Sequence, residues 1–92
     1  MSHSPVEDPL ADPAPLDMDT YRDRLRALPP SAKLVAKVLE NNGPLTHAEL
    51  AHESLLPDRT VRYALDRLED ASLIDSRLSL RDARKRTYEL RY

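Results

Sequence analysis

Residues 46–71 contain the pattern that most restricts what this chain can fold into. Two short segments, 46–55 and 58–71, carry apolar side chains at helical spacing and are separated by a brief turn. Apolar or small side chains stand where two crossing helices need them, at Leu50, Ala51, Leu56, Val61 and Ala64. The small side chain of Ala51 lets the helices cross closely at a steep angle. The segment therefore predicts two short helices joined by a tight turn, the second with an exposed arginine-bearing face.

Length and composition exclude several classes of protein. A chain of 92 residues is expected to form one domain with a modest core, because short chains bury a smaller fraction of their surface. The absence of cysteine excludes disulfides and thiolate metal sites, and the three histidines are too scattered to replace them. There is no apolar run of membrane-spanning length, and the N-terminus has Glu7, Asp8 and Asp12 where a secretory signal would carry lysine or arginine. We therefore expect a cytoplasmic protein that does not bind a membrane.

Charge is unevenly distributed along the chain, whose net charge is −2. Residues 1–20 hold five acids and no lysine or arginine, whereas the remainder holds 14 basic and 11 acidic residues. Residues 1–16 also contain four prolines and little apolar surface, which predicts a disordered acidic tail. A mildly basic body is compatible with nucleic-acid binding but does not require it.

Two helices are predicted between this tail and the central pair. The first, over 17–28, ends at Pro29-Pro30 and has an apolar stripe made of Met18, Tyr21, Leu25 and Leu28. Ser31 is expected to cap the second, which runs through Asn42 and has a core face made of Leu34, Val35, Val38 and Leu39. Gly43 then fits a left-handed residue that ends the helix, and Thr46 with Glu49 matches a capping box for the next helix.

Beyond residue 71 the apolar period changes from that of a helix to that of a strand. Residues 74–80 and 87–92 alternate in polarity and predict a hairpin whose tip, 81–86, is basic, and Pro44-Leu45 fits a further short strand. Three helices followed by such a hairpin predict an α+β, mostly helical fold, a winged helix-turn-helix with a three-helix core, a β-hairpin wing and a short N-terminal helix. The expected organisation is a tail at 1–16, the short helix at 17–28 and the winged domain at 29–92.

This arrangement resembles the winged helix-turn-helix transcription regulators of prokaryotes, broadly the MarR-like ones. Residues 28–35, 60–65 and 82–84 are also similar to a small regulator group of salt-loving archaea. The resemblance covers residues 28–92 and implies a DNA-binding regulator whose second helix-turn-helix helix enters the major groove. Larger MarR-like regulators have long flanking helices that form a dimer and a ligand pocket. This chain has only the short helix near Tyr21, so neither ligand sensing nor a cofactor is expected.

Two positions depart from the usual pattern of this fold. Leu55 stands where many helix-turn-helix turns have a glycine at positive φ, and Ala71-Ser72 replaces the glycine that often precedes the wing. A left-handed conformation is strained for leucine, so a longer or differently shaped turn is expected at Leu55.

The exposed face of the second helix is the predicted site of base recognition. Its candidate residues are Arg59, Thr60, Arg62, Tyr63 and Arg67. Arginine can donate two hydrogen bonds to guanine O6 and N7, and threonine or tyrosine can bind phosphate. The alternative is a solvated face with ion pairs such as Arg62 with Asp66. Asp66 and Asp70 would repel phosphate, so contact is expected to stop before the middle of the helix.

The hairpin tip supplies a second group of cations, at Arg81, Arg84, Lys85 and Arg86. Long cationic side chains at a tip can follow the phosphate backbone or enter a narrow minor groove. The alternative is an ordinary soluble turn that discourages aggregation at the strand edge.

Catalysis and metal binding are not expected. His47 and His52 are five residues apart, whereas a zinc-protease helix needs histidines four apart on one face. With Gly43 as its one glycine, the chain has no phosphate-cradling loop, and no nucleophile constellation or pair of catalytic acids is recognisable.

The sequence therefore predicts a sequence-specific regulator that binds double-stranded DNA, with the helix 58–71 in the major groove and the wing 81–86 on the backbone or minor groove. The alternative is a winged helix that docks other proteins in a transcription or other assembly. The stripe Met18, Tyr21, Leu25 and Leu28 leaves two further readings open: a homodimer interface, or a short helix folded back on its own core.

Overall fold

The computed structural model describes residues 16–78 and 85–92. In chain order the elements are α1 Met18–Arg26, α2 Pro30–Asn42, β1 Leu45–Thr46, α3 His47–Ser54, α4 Asp58–Asp70, β2 Ile74–Leu78 and β3 Arg86–Leu90. The strands form an antiparallel sheet in the order β1-β3-β2. The predicted winged helix-turn-helix with a short N-terminal helix is confirmed. The predicted tail, up to residue 15, and the wing tip as far as residue 84 lie outside the described residues.

Helix α2 begins earlier than the sequence predicts. Pro30 is its first residue and Pro29 its N-cap, so the prediction that Ser31 caps this helix is wrong. Proline suits the first helical position because its φ already matches the helix and its missing N–H would have no intrahelical partner. At the other end, Gly43 has a φ of 78° and a ψ of −158°, a backbone conformation open chiefly to glycine.

The buried face of α2 is also rotated from the predicted one. Leu34 is 41% exposed, whereas Ala32 and Ala36 are buried together with Val35, Val38 and Leu39. Helix α4 packs extensively against α2, and small side chains allow neighbouring helices to approach closely. The prediction that Leu34 belongs to the core face of α2 is therefore wrong.

The core of the described fold joins all four helices to the sheet. Its fully buried large side chains include Val35, Leu50, Val61, Leu65, Leu68 and Leu73. Burial of each such side chain contributes about 1.5–3 kcal/mol relative to exposure, which makes this cluster the main source of stability in a short chain. Because two elements of the helix-turn-helix, α3 and α4, contribute to the cluster, the core also fixes their crossing.

Two non-glycine residues adopt left-handed backbone conformations. Leu55, which ends α3, has a φ of 62° and a ψ of 18°, and Ser72, before β2, has a φ of 60°. The turn thus keeps the usual geometry without glycine, and the expectation of a differently shaped turn at Leu55 is wrong. A left-handed residue costs roughly 1–2 kcal/mol, and the 88% exposure of Leu55 shows that its side chain gains no burial in return.

Helix α3 starts as its sequence predicts. The Thr46 hydroxyl accepts a hydrogen bond from the Glu49 N–H at 3.2 Å, and the Glu49 carboxylate accepts one from the Thr46 N–H at 2.8 Å. These reciprocal bonds form the predicted capping box, which fixes the start of α3 beside β1.

Helix α1 folds back on the chain's own core. Tyr21 is only 2% exposed, its hydroxyl donates to the Glu40 carboxylate at 2.9 Å, and its ring stacks on Tyr92 with centroids 4.2 Å apart. Burial and the bond to Glu40 raise the pKa of Tyr21 above its ordinary value. The Leu16 N–H also donates at 2.9 Å to the carbonyl of Arg91, the residue that follows β3, which connects the start of the described chain to its end. Of the two readings of the apolar stripe, the structure supports the folded-back helix.

The β2–β3 hairpin places its residues in a fixed register. Ser76 lies opposite Tyr88, and Leu78 lies opposite Arg86. The side chain of Tyr88 is buried among the core residues. Outward-facing charges pair across the strands, as Arg77 does with Glu89 at 2.8 Å. Among the elements of residues 16–78 and 85–92, none is a helix with the length and apolarity that a membrane crossing requires.

Candidate nucleic-acid interface

Helix α4 exposes one face because the other is held in the core. Val61, Ala64, Leu65 and Leu68 are buried along its length. The predicted recognition residues consequently lie on or beside the outer face: Arg59, Arg62 and Tyr63 are exposed, and Thr60 and Arg67 are half-buried. Four of these five fall in the first two turns of α4, the part of a recognition helix that reaches base edges in this fold.

Arg62 lies on the flank of α4 that faces the sheet. Its guanidinium donates a long hydrogen bond of 3.5 Å to the Tyr88 hydroxyl. This bond, with the nearby carboxylates of Asp66 and Glu69, raises the pKa of Arg62, so the side chain stays charged. The ion pair between Arg62 and Asp66 that the sequence allows is not among the ion pairs of the described residues.

The start of β3 brings two further cations to the same place. Arg86 donates to the Ser76 hydroxyl at 2.9 Å, and Lys85 is exposed just before it. Lys85, Arg86 and Arg62 all line one open groove of about 560 Å³, here called the wing groove. Its complete lining is Thr46, His47, Ala48, Arg62, Glu69, Ser76, Lys85, Arg86 and Tyr88. The wing groove therefore joins three predicted site residues from two separate elements.

Tyr63 and Arg67 form a second, smaller unit on α4. The Arg67 guanidinium lies 5.9 Å from the centre of the Tyr63 ring and donates to its hydroxyl at 3.2 Å. Tyr63 remains 47% exposed, so the pair stands on the surface as a preformed cation and ring. Neither residue lines the wing groove.

The C-terminal half of α4 is acidic. Asp66, Glu69 and Asp70 are exposed there, while Asp58 is the first residue of the helix. Arg67 is the one basic residue in this half. Because carboxylates repel phosphate, we expect phosphate contacts mainly at the first two turns of α4 and on its side facing the sheet.

The structure thus separates the predicted site residues into groups. Arg62, Lys85 and Arg86 converge on the wing groove, Tyr63 and Arg67 contact each other, and Arg59 and Thr60 stand at the start of α4. Arg81 and Arg84 lie outside the described residues.

Six residues of the wing groove were missing from the sequence prediction: Thr46, His47, Ala48, Glu69, Ser76 and Tyr88. Tyr88 and Ser76 hold the two arginines, and Thr46 and His47 line the opposite side from the start of α3. Alternating polarity had placed Tyr88 on an apolar strand face, but no local signal shows that its hydroxyl reaches α4. The His47 ring contacts the Asp58 carbonyl at 3.2 Å, and the described residues contain no cluster of three or more metal-ligating side chains.

The match to a family model covers the helix-turn-helix part of this site but not Lys85, Arg86 and Tyr88. Residues 36–82 match the model described as winged helix-turn-helix DNA-binding. This segment runs from α2 through α4 to the wing and comprises half of the chain. The chain belongs to the winged helix-turn-helix DNA-binding family.

Solved structures share the fold. A probable transcriptional regulator from Pseudomonas aeruginosa superimposes with a TM-score of 0.68 at 19% identity, over 78% of this chain and 55% of that one. A MarR family transcription regulator gives a TM-score of 0.67 at 20% identity, over 78% of this chain and 48% of that one. The structure of reduced AbfR bound to DNA gives a TM-score of 0.64 at 23% identity, over 78% of this chain and 54% of that one.

The chain spans about half the length of these solved structures, and the likeness is one of fold. The fold resemblance to MarR-like regulators is confirmed by them. No curated protein sequence matches the chain.

Proposed function

We propose that this chain is a transcription regulator that binds a specific double-stranded DNA sequence. The observation that carries the proposal is the convergence of Arg62, Lys85 and Arg86 on one groove beside the exposed start of α4. In the proposed complex α4 lies in the major groove and the wing follows the backbone or the adjacent minor groove. The solved structures that share this fold include a regulator bound to DNA, which supports the proposal.

The proposed roles differ along the interface. Arg59 and Arg62 read base edges, because a guanidinium can donate two parallel hydrogen bonds to guanine. Thr60, Tyr63 and Arg67 position the helix on phosphates. Lys85 and Arg86, together with the predicted tip residues Arg81 and Arg84, neutralise phosphates without reading sequence.

Selection of bound sequences from a random DNA pool tests the proposal directly. We expect one enriched motif, and a steep fall of the logarithm of affinity with the logarithm of salt concentration, since several phosphates are neutralised. Absence of both a motif and a salt response would favour the alternative, a winged helix that docks proteins.

A homodimer is part of the proposal, since modules of this fold commonly pair on half-sites about one DNA turn apart. Its predicted interface needs correction, because Tyr21 and Leu28 are buried in the chain's own core and Leu25 packs against it, which leaves Met18 as the exposed member of the stripe. Light scattering at micromolar concentration, with and without a selected site, measures the state. A monomer under both conditions would contradict the proposed homodimer.

The cytoplasmic location expected from the sequence belongs to the same proposal.

A further inference from the structure

A second cationic groove lies between α1 and α2, and it shares no lining residue with the wing groove. It has a volume of about 360 Å³. Four cations border it: Arg22 and Arg26 from α1, and Lys33 and Lys37 from α2. Its apolar surface comes from Met18, Leu25 and the rings of Tyr21 and Tyr92. This α1–α2 groove is suited to an occupant that carries both acids and apolar side chains.

The charge of the α1–α2 groove is only partly balanced within the described residues. Glu40 is the sole acidic side chain in the lining, and it already accepts from the Tyr21 hydroxyl at 2.9 Å and pairs with Lys37 at 3.4 Å. Arg26 pairs at 3.5 Å with Asp23, and both of these side chains are largely exposed. An exposed pair of this kind contributes little, so its cation is available to another carboxylate.

We propose that the acidic segment at residues 5–12 of the same chain docks in the α1–α2 groove. This segment reads Pro-Val-Glu-Asp-Pro-Leu-Ala-Asp and has no lysine or arginine. Its acids Glu7, Asp8 and Asp12 match the cationic rim, and Val6 and Leu10 match the apolar surface. The segment thus combines acids with apolar side chains, as the groove requires of an occupant.

Chain length allows the docking. The Leu16 N–H is bonded to the Arg91 carbonyl, so the acidic segment enters next to Tyr92, at the edge of the groove. Asp12 is four residues from Leu16 and can reach about 13 Å from it. Helix α1 is nine residues long, about 13 Å at 1.5 Å per residue, so the acids can reach cations along its whole length. The short tether keeps the acids at a high effective concentration near the groove.

Paramagnetic relaxation of the full chain tests the docking. Because the chain has no cysteine, the substitution Ala11→Cys provides one site for a nitroxide label. We expect the label to broaden the backbone amide signals of Arg22, Lys33 and Lys37, and to leave those of Arg59 and Lys85 unbroadened. The broadening should disappear near 1 M salt, where the Debye length is about 3 Å.

Matched variants establish that charge is the cause. The triple substitution Glu7→Gln, Asp8→Asn and Asp12→Asn should abolish the broadening with the label unchanged. The pair Arg22→Gln and Lys33→Gln should abolish it from the other side, and both residues are exposed, so the fold is retained.

Three results would overturn the proposal. Broadening centred on Arg59 or Lys85 would place the segment on the DNA interface instead. Broadening that survives the triple substitution, or that is confined to residues next to Leu16, would show tethering without docking. Broadening of an isotope-labelled, unmodified chain mixed with a nitroxide-labelled one would assign the groove to a second copy.

Discussion

The wing groove and the α1–α2 groove are both cationic, but their cations are held by different partners. In the wing groove the hydroxyls of Tyr88 and Ser76 hold Arg62 and Arg86, and a hydroxyl positions a guanidinium without cancelling its charge. In the α1–α2 groove the partners are carboxylates, Glu40 and Asp23, which cancel part of it. Within the described residues each groove is also lined by one acidic side chain, Glu69 in the wing groove and Glu40 in the α1–α2 groove, but of these two only Glu40 forms an ion pair with a lining cation. The charge of Arg62 and Arg86 therefore remains available to phosphate, whereas that of Lys37 and Arg26 is partly balanced.

The largest expected difference between the grooves is in DNA affinity. Arg62→Ala should weaken binding to a selected site by about 1–3 kcal/mol and relax its sequence preference, because a base contact is lost. Arg22→Ala, the matched change in the α1–α2 groove, should leave affinity unchanged. Fluorescence anisotropy with a labelled duplex measures the affinity of both variants. Equal losses of affinity would contradict the proposed difference between the two grooves.

Salt dependence separates the grooves by a different measure. Lys85→Ala should weaken binding to all sequences alike and reduce the slope of log affinity against log salt by about 1, since one phosphate contact is lost. Lys37→Ala should leave the slope unchanged. A smaller slope in both variants would mean that DNA reaches the α1–α2 groove as well.

A substitution in the α1–α2 groove is expected to change the folding stability. Tyr21→Phe keeps the buried ring but removes the bond to Glu40, which should cost about 1 kcal/mol in the free energy of unfolding. The raised pKa of Tyr21 also makes the free energy of unfolding depend on pH. Above the ordinary pKa of 10.0 the unfolded chain ionises this group, while the folded chain keeps it protonated. That contribution is complete below pH 10 and is lost as pH rises further.

Thermal unfolding of the wild type and Tyr21→Phe between pH 8 and about pH 11 would reveal this loss. The difference between the two proteins should narrow or change sign as Tyr21 ionises only in the unfolded wild type. DNA affinity at neutral pH should be the same for both, and a weaker affinity for Tyr21→Phe would connect the two grooves.

The smallest expected effect is that of Tyr88→Phe. The ring stays in the core and the long bond to Arg62 is removed, so DNA affinity should fall by about 0.5 kcal/mol while stability changes little. Competition binding against the wild type resolves a change of this size. A loss as large as that of Arg62→Ala would show that the hydroxyl itself binds DNA.

Local signals in the sequence were sufficient for much of the fold. The capping box of Thr46 and Glu49 defines the start of α3, and the regular spacing of Val61, Leu65 and Leu68 defines the buried face of α4. Each of these signals lies within one helix, where side chains three and four residues apart share a face. The rotation of α2 was missed because Leu34 and Ala32 are both apolar, and packing against α4 decides which is buried.

Contacts between separate elements explain what the sequence could not predict at the site. The bonds of Arg62 to Tyr88 and of Arg86 to Ser76 depend on the register of the hairpin and on its position against α4. Polarity along a strand shows which face a residue occupies but not which helix lies beyond it. The individual cations were therefore predictable, whereas their convergence on one groove was not.

The bond between Leu16 and Arg91 has a consequence for the order of folding. It closes a loop containing nearly all of the described chain, and the entropy cost of closure grows with loop length. Helices α2 to α4 and the hairpin depend on shorter loops, so we expect them to form first and α1 to dock last. The same order applies in reverse to partial opening, in which α1 detaches while the other helices stay packed. The α1–α2 groove then exists only in the completely folded molecule, whereas the wing groove persists through such openings.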